Sequence, residues 1–125
     1  MEMSHSAIIA VVDDDESVRI ALDSLLRSYG YTVRVFASAE AFLSSSAVQG
    51  TACLISDIQM PGMSGIQLYD DLSARGLTIP VIFITGYQGQ PPQVSTRSPE
   101  PVAWFPKPFP CAELLACIEA VLDRR

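Results

Sequence analysis

The sequence predicts an α/β fold in which helices cover both faces of a parallel β-sheet. Four short runs are apolar throughout, at residues 7–12, 52–55, 81–84 and 102–105, and helical patterns lie between most of them. Strands that are buried on both faces carry such continuous apolar runs. Alternation of strands and helices implies right-handed crossovers, so we expect a doubly wound three-layer α/β/α sandwich.

The first strand, at 7–12, is followed by the clearest helix of the chain. Gly30 is a favourable stop after this helix, and the segment Thr32–Phe36 then mixes polar with apolar side chains. We therefore place a fifth strand there, at an edge of the sheet where one part of it meets water. The apolar stripe of the preceding helix recurs at helical spacing in Val18, Ala21, Leu22, Leu25, Leu26 and Tyr29.

Three further helices are indicated by their first residues. Ser38 and Ser64 can cap a second and a third helix, the latter ending before Gly76, and Pro110 suits the first turn of a last helix. The apolar positions of these helices are Ala41 and Phe42, then Leu68, Tyr69 and Leu72, and finally Leu114, Leu115, Ile118, Val121 and Leu122.

The fourth helix of the alternating pattern is degenerate. It would fall at residues 88–101, which hold four prolines and almost no apolar stripe. Pro99 and Pro101 cannot lie inside a helix without a cost of about 3 kcal/mol each. We expect a helix that is short, frayed or absent.

Length and composition predict one domain spanning residues 1–125, with 1–6 as a disordered tail. Its 125 residues are 49% hydrophobic, enough for one core, and a net charge of −6 argues against binding of nucleic acid by this domain. The run at 7–12 is too short for a signal peptide or a membrane span. Cys53, Cys111 and Cys117 lack C-x-x-C spacing and are interpreted as buried, reduced thiols. We expect a cytoplasmic protein that does not bind membranes.

Charged or hydroxyl side chains stand directly after each of the four apolar runs. They are Asp13 and Asp14, Asp57, Thr85, and Lys107. Taken singly, the acidic triplet 13–15 could be a helix start, Asp57 and Thr85 turn residues, and Lys107 a solvated lysine. Because ligands bind outside the carboxyl ends of strands in an open parallel sheet, their joint placement favours one site.

Such a site would have the chemistry of phosphoryl transfer. Asp13, Asp14 and Asp57 together need a cation, and carboxylates without nearby His or Cys suit Mg²⁺, which keeps several of its waters. A carboxylate can attack a phosphoryl group, and Asp57, on the middle strand, is the natural nucleophile. Lys107 would supply a positive charge and Thr85 a hydroxyl donor to the phosphoryl oxygens.

These residues together resemble the receiver domain of two-component response regulators, from Ala7 to Leu122. Four motifs in this order make the resemblance specific, and the residues of the last two motifs are most similar to those of the FixJ-like branch. The motifs are Val11-Val12-Asp13-Asp14-Asp15-Glu16, Ser56-Asp57-Ile58-Gln59-Met60-Pro61-Gly62-Met63-Ser64-Gly65, Ile84-Thr85-Gly86-Tyr87 and Phe105-Pro106-Lys107-Pro108-Phe109.

The resemblance implies a flavodoxin-like fold with five strands in the order 2-1-3-4-5. It also implies that Asp57 accepts a phosphoryl group from a sensor histidine kinase or a phosphotransfer protein, so that the domain is a signalling switch and not an enzyme. Asp14 and Asp57 would ligate Mg²⁺ directly, with the Gln59 carbonyl as third ligand and Asp13 acting through water. Thr85 and Trp104 would form the conformational switch that controls an effector domain or a homodimer.

Two other functions stay open at this point. An aspartate-nucleophile phosphohydrolase normally has a second carboxylate two residues after the nucleophile, and here that residue is Gln59. A pseudo-receiver that binds partners without being phosphorylated would lack a site residue, and none is missing. Two departures from the family pattern concern the output surface: the proline-rich Ser98–Pro101, and Trp104 in place of a smaller aromatic residue.

Overall fold

A single parallel sheet forms the centre of the computed structural model, which describes residues 7–86, 103–107 and 109–123. The strand order is β2-β1-β3-β4-β5, and every neighbouring pair runs parallel. The order and the parallel direction of the strands confirm the predicted sheet, and β2 lies at an edge of it, as predicted. The strands are β1 (Ile8–Val12), β2 (Thr32–Phe36), β3 (Thr51–Asp57), β4 (Val81–Thr85) and β5 (Ala103–Pro106).

Capping side chains begin the helices at the predicted points. Ser38 Oγ accepts from the Ala41 N–H at 3.0 Å, and Ser64 and Gln67 form a reciprocal capping box. Pro110 does not lie in the first turn of the last helix, as predicted, but directly before it. Its carbonyl accepts the first hydrogen bond of the helix, from the Leu114 N–H. The helices are α1 (Glu16–Ser28), α2 (Ala39–Leu43), α3 (Gly65–Ala74) and α4 (Cys111–Asp123), with an unpredicted 3₁₀ helix at Ser46–Gly50.

Two hydrophobic clusters lie on opposite faces of the sheet. Because side chains alternate along a strand, Ile9 and Val11 join the cluster that contains α1 and α4 residues, whereas Ala10 and Val12 join the one that contains α2 and α3 residues. This arrangement confirms the three-layer sandwich. The carboxyl ends of β1, β3 and β4 lie side by side at one edge of the sheet.

The three cysteines are free thiols in different environments. Cys53 is fully buried in β3, and this burial, with a smaller effect of Cys117, raises the pKa of its thiol to about 12. Cys117 is partly buried, but Cys111 is exposed. The prediction of buried thiols is therefore wrong for Cys111, because as the first residue of α4 it lies outside the apolar stripe of that helix.

Some of the predicted features lie outside the described residues. These are the tail at 1–6 and the degenerate fourth helix at 88–101. Within the described ranges, no helix combines the length and the apolar character needed to cross a membrane.

Candidate functional site

Three aspartates converge at the carboxyl edge of the sheet. Asp13 and Asp14 follow β1, and Asp57 is the last residue of β3, the strand that pairs with β1. One carboxylate oxygen from each lies within 4.8 Å of the others. Asp13 and Asp57 are 1% and 5% exposed, whereas Asp14 is open to solvent. The structure thus brings the three predicted acidic residues together around one point that water can reach.

Of the three residues in the acidic triplet, one caps α1 and the other two lie in the site. Asp15 caps α1, since its carboxylate accepts from the Ser17 hydroxyl at 2.7 Å and from the Ser17 N–H at 2.9 Å, and these two bonds lower the pKa of Asp15. Asp13 is held from both sides, because its amide donates to the Phe36 carbonyl at 3.1 Å and its carbonyl accepts from Arg19 at 2.8 Å. From the sequence, the triplet 13–15 could be a helix start or part of an acidic site, and in the structure it is both.

A glycine lets the chain fold back tightly after Asp57. The Gly65 N–H donates to the Ile58 carbonyl at 2.8 Å, and any side chain at Gly65 would overlap the Asp57 carbonyl oxygen. The Gln59 N–H lies 3.4 Å from Asp57 Oδ1. The need for glycine at position 65 does not follow from the strand and helix patterns, although its place in the motif after Asp57 is a signal. Only glycine permits this close approach of two backbones.

Lys107 joins the last strand to the acidic residues. Its amide donates to the Thr85 carbonyl at 2.8 Å, which brings the end of β5 against the end of β4. Its ammonium Nζ lies 3.0 Å from Asp13 Oδ2 and 3.3 Å from Asp57 Oδ2. Thr85 is 8% exposed, and Ile84 pairs with Asp57 across the strands. All four strand ends named from the sequence therefore meet in one place.

The charges of the site shift two pKa values. Burial, and then the neighbouring Asp13 carboxylate, raise the pKa of Asp57 against the opposing effect of Lys107. Burial by itself lowers the pKa of Lys107, but its contacts with Asp13 and Asp57 outweigh burial and raise that pKa overall. Lys107 is consequently charged at neutral pH, and its ammonium lies against two of the three carboxyl groups.

The donor set fits a divalent cation such as Mg²⁺. All candidate ligands are oxygens, and one from each aspartate is close enough to the others to share one ion. Asp13 Oδ2 is buried, and among the described residues its partner is the Lys107 ammonium at 3.0 Å. Gln59, predicted to contribute its carbonyl, is exposed in the loop directly after Asp57 and Ile58. The excess of negative charge favours a cation at this position.

Replacing Lys107 by alanine should destabilise the metal-free protein. Asp13 and Asp57 then lie close together without a counter-charge. We expect a loss of about 1–2 kcal/mol in the free energy of unfolding, less than the roughly 3–5 kcal/mol of a fully buried pair because the Lys107 side chain is partly exposed. Urea unfolding in EDTA measures this loss. Arg75→Ala, which breaks the exposed pair with Asp71 in α3, is the control and should cost less than about 1 kcal/mol. Equal losses in the two variants would show that Lys107 does not compensate the buried carboxylates.

Trp104 lies in β5, away from the acidic residues and on the face covered by α2 and α3. It is partly buried, and its ring stacks on Phe83 with centroids 4.8 Å apart and an angle of 27°. Tyr69 of α3 meets the same Phe83 edge-on, with centroids at 5.8 Å. Phe83 is two residues before Thr85, so the predicted switch residues are linked through β4.

Comparisons with known proteins agree with this geometry. The family model described as "Response regulator receiver domain" matches residues 9–119. Nodulation protein W of Bradyrhizobium diazoefficiens is 39% identical over 98% of this chain, and response regulator protein TodT of Pseudomonas putida is 41% identical over 94%. Transcriptional regulatory protein FixJ of Azorhizobium caulinodans is 37% identical over 98%. The alignments cover 54%, 52% and 58% of these relatives, so the chain spans about half of their length.

Solved structures are similar over the whole chain. The crystal structure of FixJ-N superposes with a TM-score of 0.80 at 30% identity, covering all of this chain and 98% of that one. The response regulator StyR reaches a TM-score of 0.84 at 41% identity, over 94% of this chain and 59% of that one. These comparisons confirm the predicted fold and the FixJ-like branch, and the chain belongs to the family of response regulator receiver domains.

Proposed function

We propose that this receiver domain accepts a phosphoryl group on Asp57, in a Mg²⁺-dependent reaction, from a sensor histidine kinase or a phosphotransfer protein. The observation that carries the proposal is the position of Asp57 at the end of the central strand, with Asp13, Asp14 and Lys107 around its carboxylate. Family membership supports the same function. It also makes the domain a signalling module and disfavours a phosphohydrolase.

The side chains of this chain suit each part of the transfer. A carboxylate oxygen of Asp57 attacks phosphorus, the bond from phosphorus to the histidine nitrogen breaks, and its electron pair returns to the imidazole. Lys107 and Thr85 donate to the phosphoryl oxygens. Because Lys107 also lies 3.0 Å from Asp13 Oδ2, its ammonium keeps one partner when the Asp57 carboxylate becomes an acyl phosphate. This contact keeps the positive charge near the new phosphate.

Bound Mg²⁺ would supply the positive charge that lowers repulsion between the phosphoryl group and the carboxylates. We assign Asp14 and Asp57 as direct ligands, the Gln59 carbonyl as a third, and Asp13 as a ligand through water. The exposure of Asp14 supports a site that stays open to incoming phosphoryl donors. The burial of Asp13 supports a role in charge balance beside Lys107.

The output of the switch would pass through Thr85 and Trp104. Thr85 ends β4, and the stack of Trp104 on Phe83 joins β4 to β5, the neighbouring strand. Movement of Thr85 toward a phosphoryl oxygen would disturb this stack. We place the domain, as a single unit over 1–125, in a cytoplasmic regulator that controls an effector domain or a homodimer. The full lengths of the relatives support this arrangement.

Incubation with acetyl phosphate and Mg²⁺, followed by intact-mass measurement, tests the proposal directly. We expect one phosphoryl group per chain, located by peptide mapping at Asp57, and no adduct when EDTA replaces Mg²⁺. A chain that gains no mass with Mg²⁺ would favour a pseudo-receiver. Equal labelling with and without EDTA would contradict the role of the metal.

A further inference from the structure

Glu40, in the first turn of α2, reaches across to the loop at residues 59–64. Its Oε2 accepts a hydrogen bond from the Met63 N–H at 3.1 Å. A Cβ added at Gly62 would lie 2.8 Å from the same oxygen, and Gly62 has a φ of +76°. The absence of a side chain at Gly62 thus leaves room for the Glu40 carboxylate.

The start of α2 is itself held firmly against this loop. Ala39 and Phe42, on either side of Glu40, are fully buried, and they share a hydrophobic cluster with Ile58 and Met60. Ser38 caps the helix at its first turn. The backbone of Glu40 therefore has a fixed position relative to the loop, although its side chain is exposed.

Contacts within its own segment hold the two ends of the loop. Gln59 is tied back to Asp57 at 3.4 Å, Gly65 to Ile58 at 2.8 Å, and the Ser64 N–H to Gln67 at 2.8 Å. The middle is held by Glu40, which belongs to another element. Freeing Met63 would let the loop move between its two ends. The contact at the Gln59 end is long, at 3.4 Å, so this motion would reach Gln59 and the carboxylate of Asp57, two of the assigned metal ligands.

We propose that Glu40 is a positioning residue of the metal site: its hydrogen bond to Met63 holds the 59–64 loop in the shape that presents Gln59 and Asp57 to Mg²⁺. This inference rests on the proposed function, because it concerns the same metal site. Partners that hold metal ligands from outside typically change metal affinity by about 10–100-fold when they are lost.

Two substitutions distinguish the effect of the length of the Glu40 side chain from the effect of its charge. Glu40→Asp keeps the negative charge at the start of α2 but withdraws it by one methylene, so the bond to Met63 is lost. Glu40→Gln removes the charge but keeps an oxygen within reach of the Met63 N–H. Glu113→Asp makes the same shortening in the first turn of α4 and is the matched control.

Three measurements on the whole chain decide the question. Amide hydrogen exchange at Met63 reports the bond itself, with the Gly65 amide as internal reference. Mg²⁺ titration followed by NMR reports the metal affinity. Urea unfolding reports stability, so that a general loss of structure is recognised. We expect Glu40→Asp to speed Met63 exchange about fivefold, leave Gly65 unchanged, and raise the Kd for Mg²⁺ about tenfold.

Glu113→Asp should stay within about twofold of the unaltered protein in both exchange and Kd, since it leaves the contact unchanged. Glu40→Gln should lie between the unaltered protein and Glu40→Asp, since a neutral oxygen accepts a weaker hydrogen bond than a carboxylate. An unchanged rate of Met63 exchange in Glu40→Asp would show that the hydrogen bond from Met63 to Glu40 does not protect this amide. Faster exchange with an unchanged Kd would overturn the positioning role. If the unaltered protein binds no Mg²⁺, the proposed function fails and the role of Glu40 fails with it. Mg²⁺ binding that Glu40→Asp does not weaken defeats only the role of Glu40.

Discussion

Asp57→Asn should abolish phosphorylation by acetyl phosphate. The amide has nearly the same shape as the carboxylate, but its oxygen carries no negative charge and is not an effective nucleophile. Intact mass in the presence of Mg²⁺ measures the effect. Asp23→Asn, which alters a partly exposed aspartate in α1, is the control and should be labelled like the unaltered chain. A phosphoryl adduct on the Asp57→Asn protein would move the acceptor to another residue.

The same variant should stabilise the metal-free protein, and this gain should depend on pH. The pKa of Asp57 is raised in the folded state by burial and by Asp13, so the folded chain binds this proton more tightly than the unfolded chain. Ionised Asp57 therefore costs stability at neutral pH, and asparagine removes that cost. The gain should shrink as the pH falls through the raised pKa, and disappear below the ordinary value of 3.8.

Urea midpoints of both proteins in EDTA, from neutral pH to below the ordinary pKa of an aspartate, test this dependence. A gain that grows as the pH falls would contradict the sign worked out from the pKa of Asp57.

Asp14→Ala should remove both Mg²⁺ binding and phosphorylation without loss of the fold. Loss of a direct ligand should raise the Kd for Mg²⁺ at least about 100-fold, since even partners outside the ligand set cost roughly 10–100-fold. Asp14 is exposed, so its removal leaves no buried group without a partner. NMR titration with Mg²⁺ and intact mass after acetyl phosphate provide the two readouts.

Asp15→Asn is a demanding control for this experiment. It lies next to Asp14 but serves as the cap of α1, and asparagine caps helices about as well as aspartate. We expect it to bind Mg²⁺ and to be phosphorylated. An unchanged Mg²⁺ affinity in Asp14→Ala would remove Asp14 from the set of direct ligands.

Local patterns explain why the elements could be predicted. A strand covered on both faces is apolar at every position, and helix starts need a side-chain oxygen for their free N–H groups. The runs around Val11 and Ile82, and the capping residues Ser38 and Ser64, satisfy these needs within a few residues of sequence. The 3₁₀ helix at Ser46–Gly50 was missed because it is a single short turn with no apolar stripe of its own.

The convergence of Asp13, Asp57, Thr85 and Lys107 was also determined by the sequence, once the strands were taken as parallel. In a parallel sheet the carboxyl ends meet at one edge, so residues that directly follow the strands become neighbours. That argument needs the topology but no coordinates.

The tertiary structure alone decided which atoms meet. It assigned Asp15 to the helix cap and left Asp13 and Asp14 to the site, and it placed the Lys107 ammonium between Asp13 and Asp57. It brought Glu40 to Met63, 23 residues apart in the chain. Nothing in the spacing of these residues encodes such contacts, because they arise from the angle at which packed helices and loops cross the sheet. Periodicity specifies the face of an element, and only packing specifies the partner on that face.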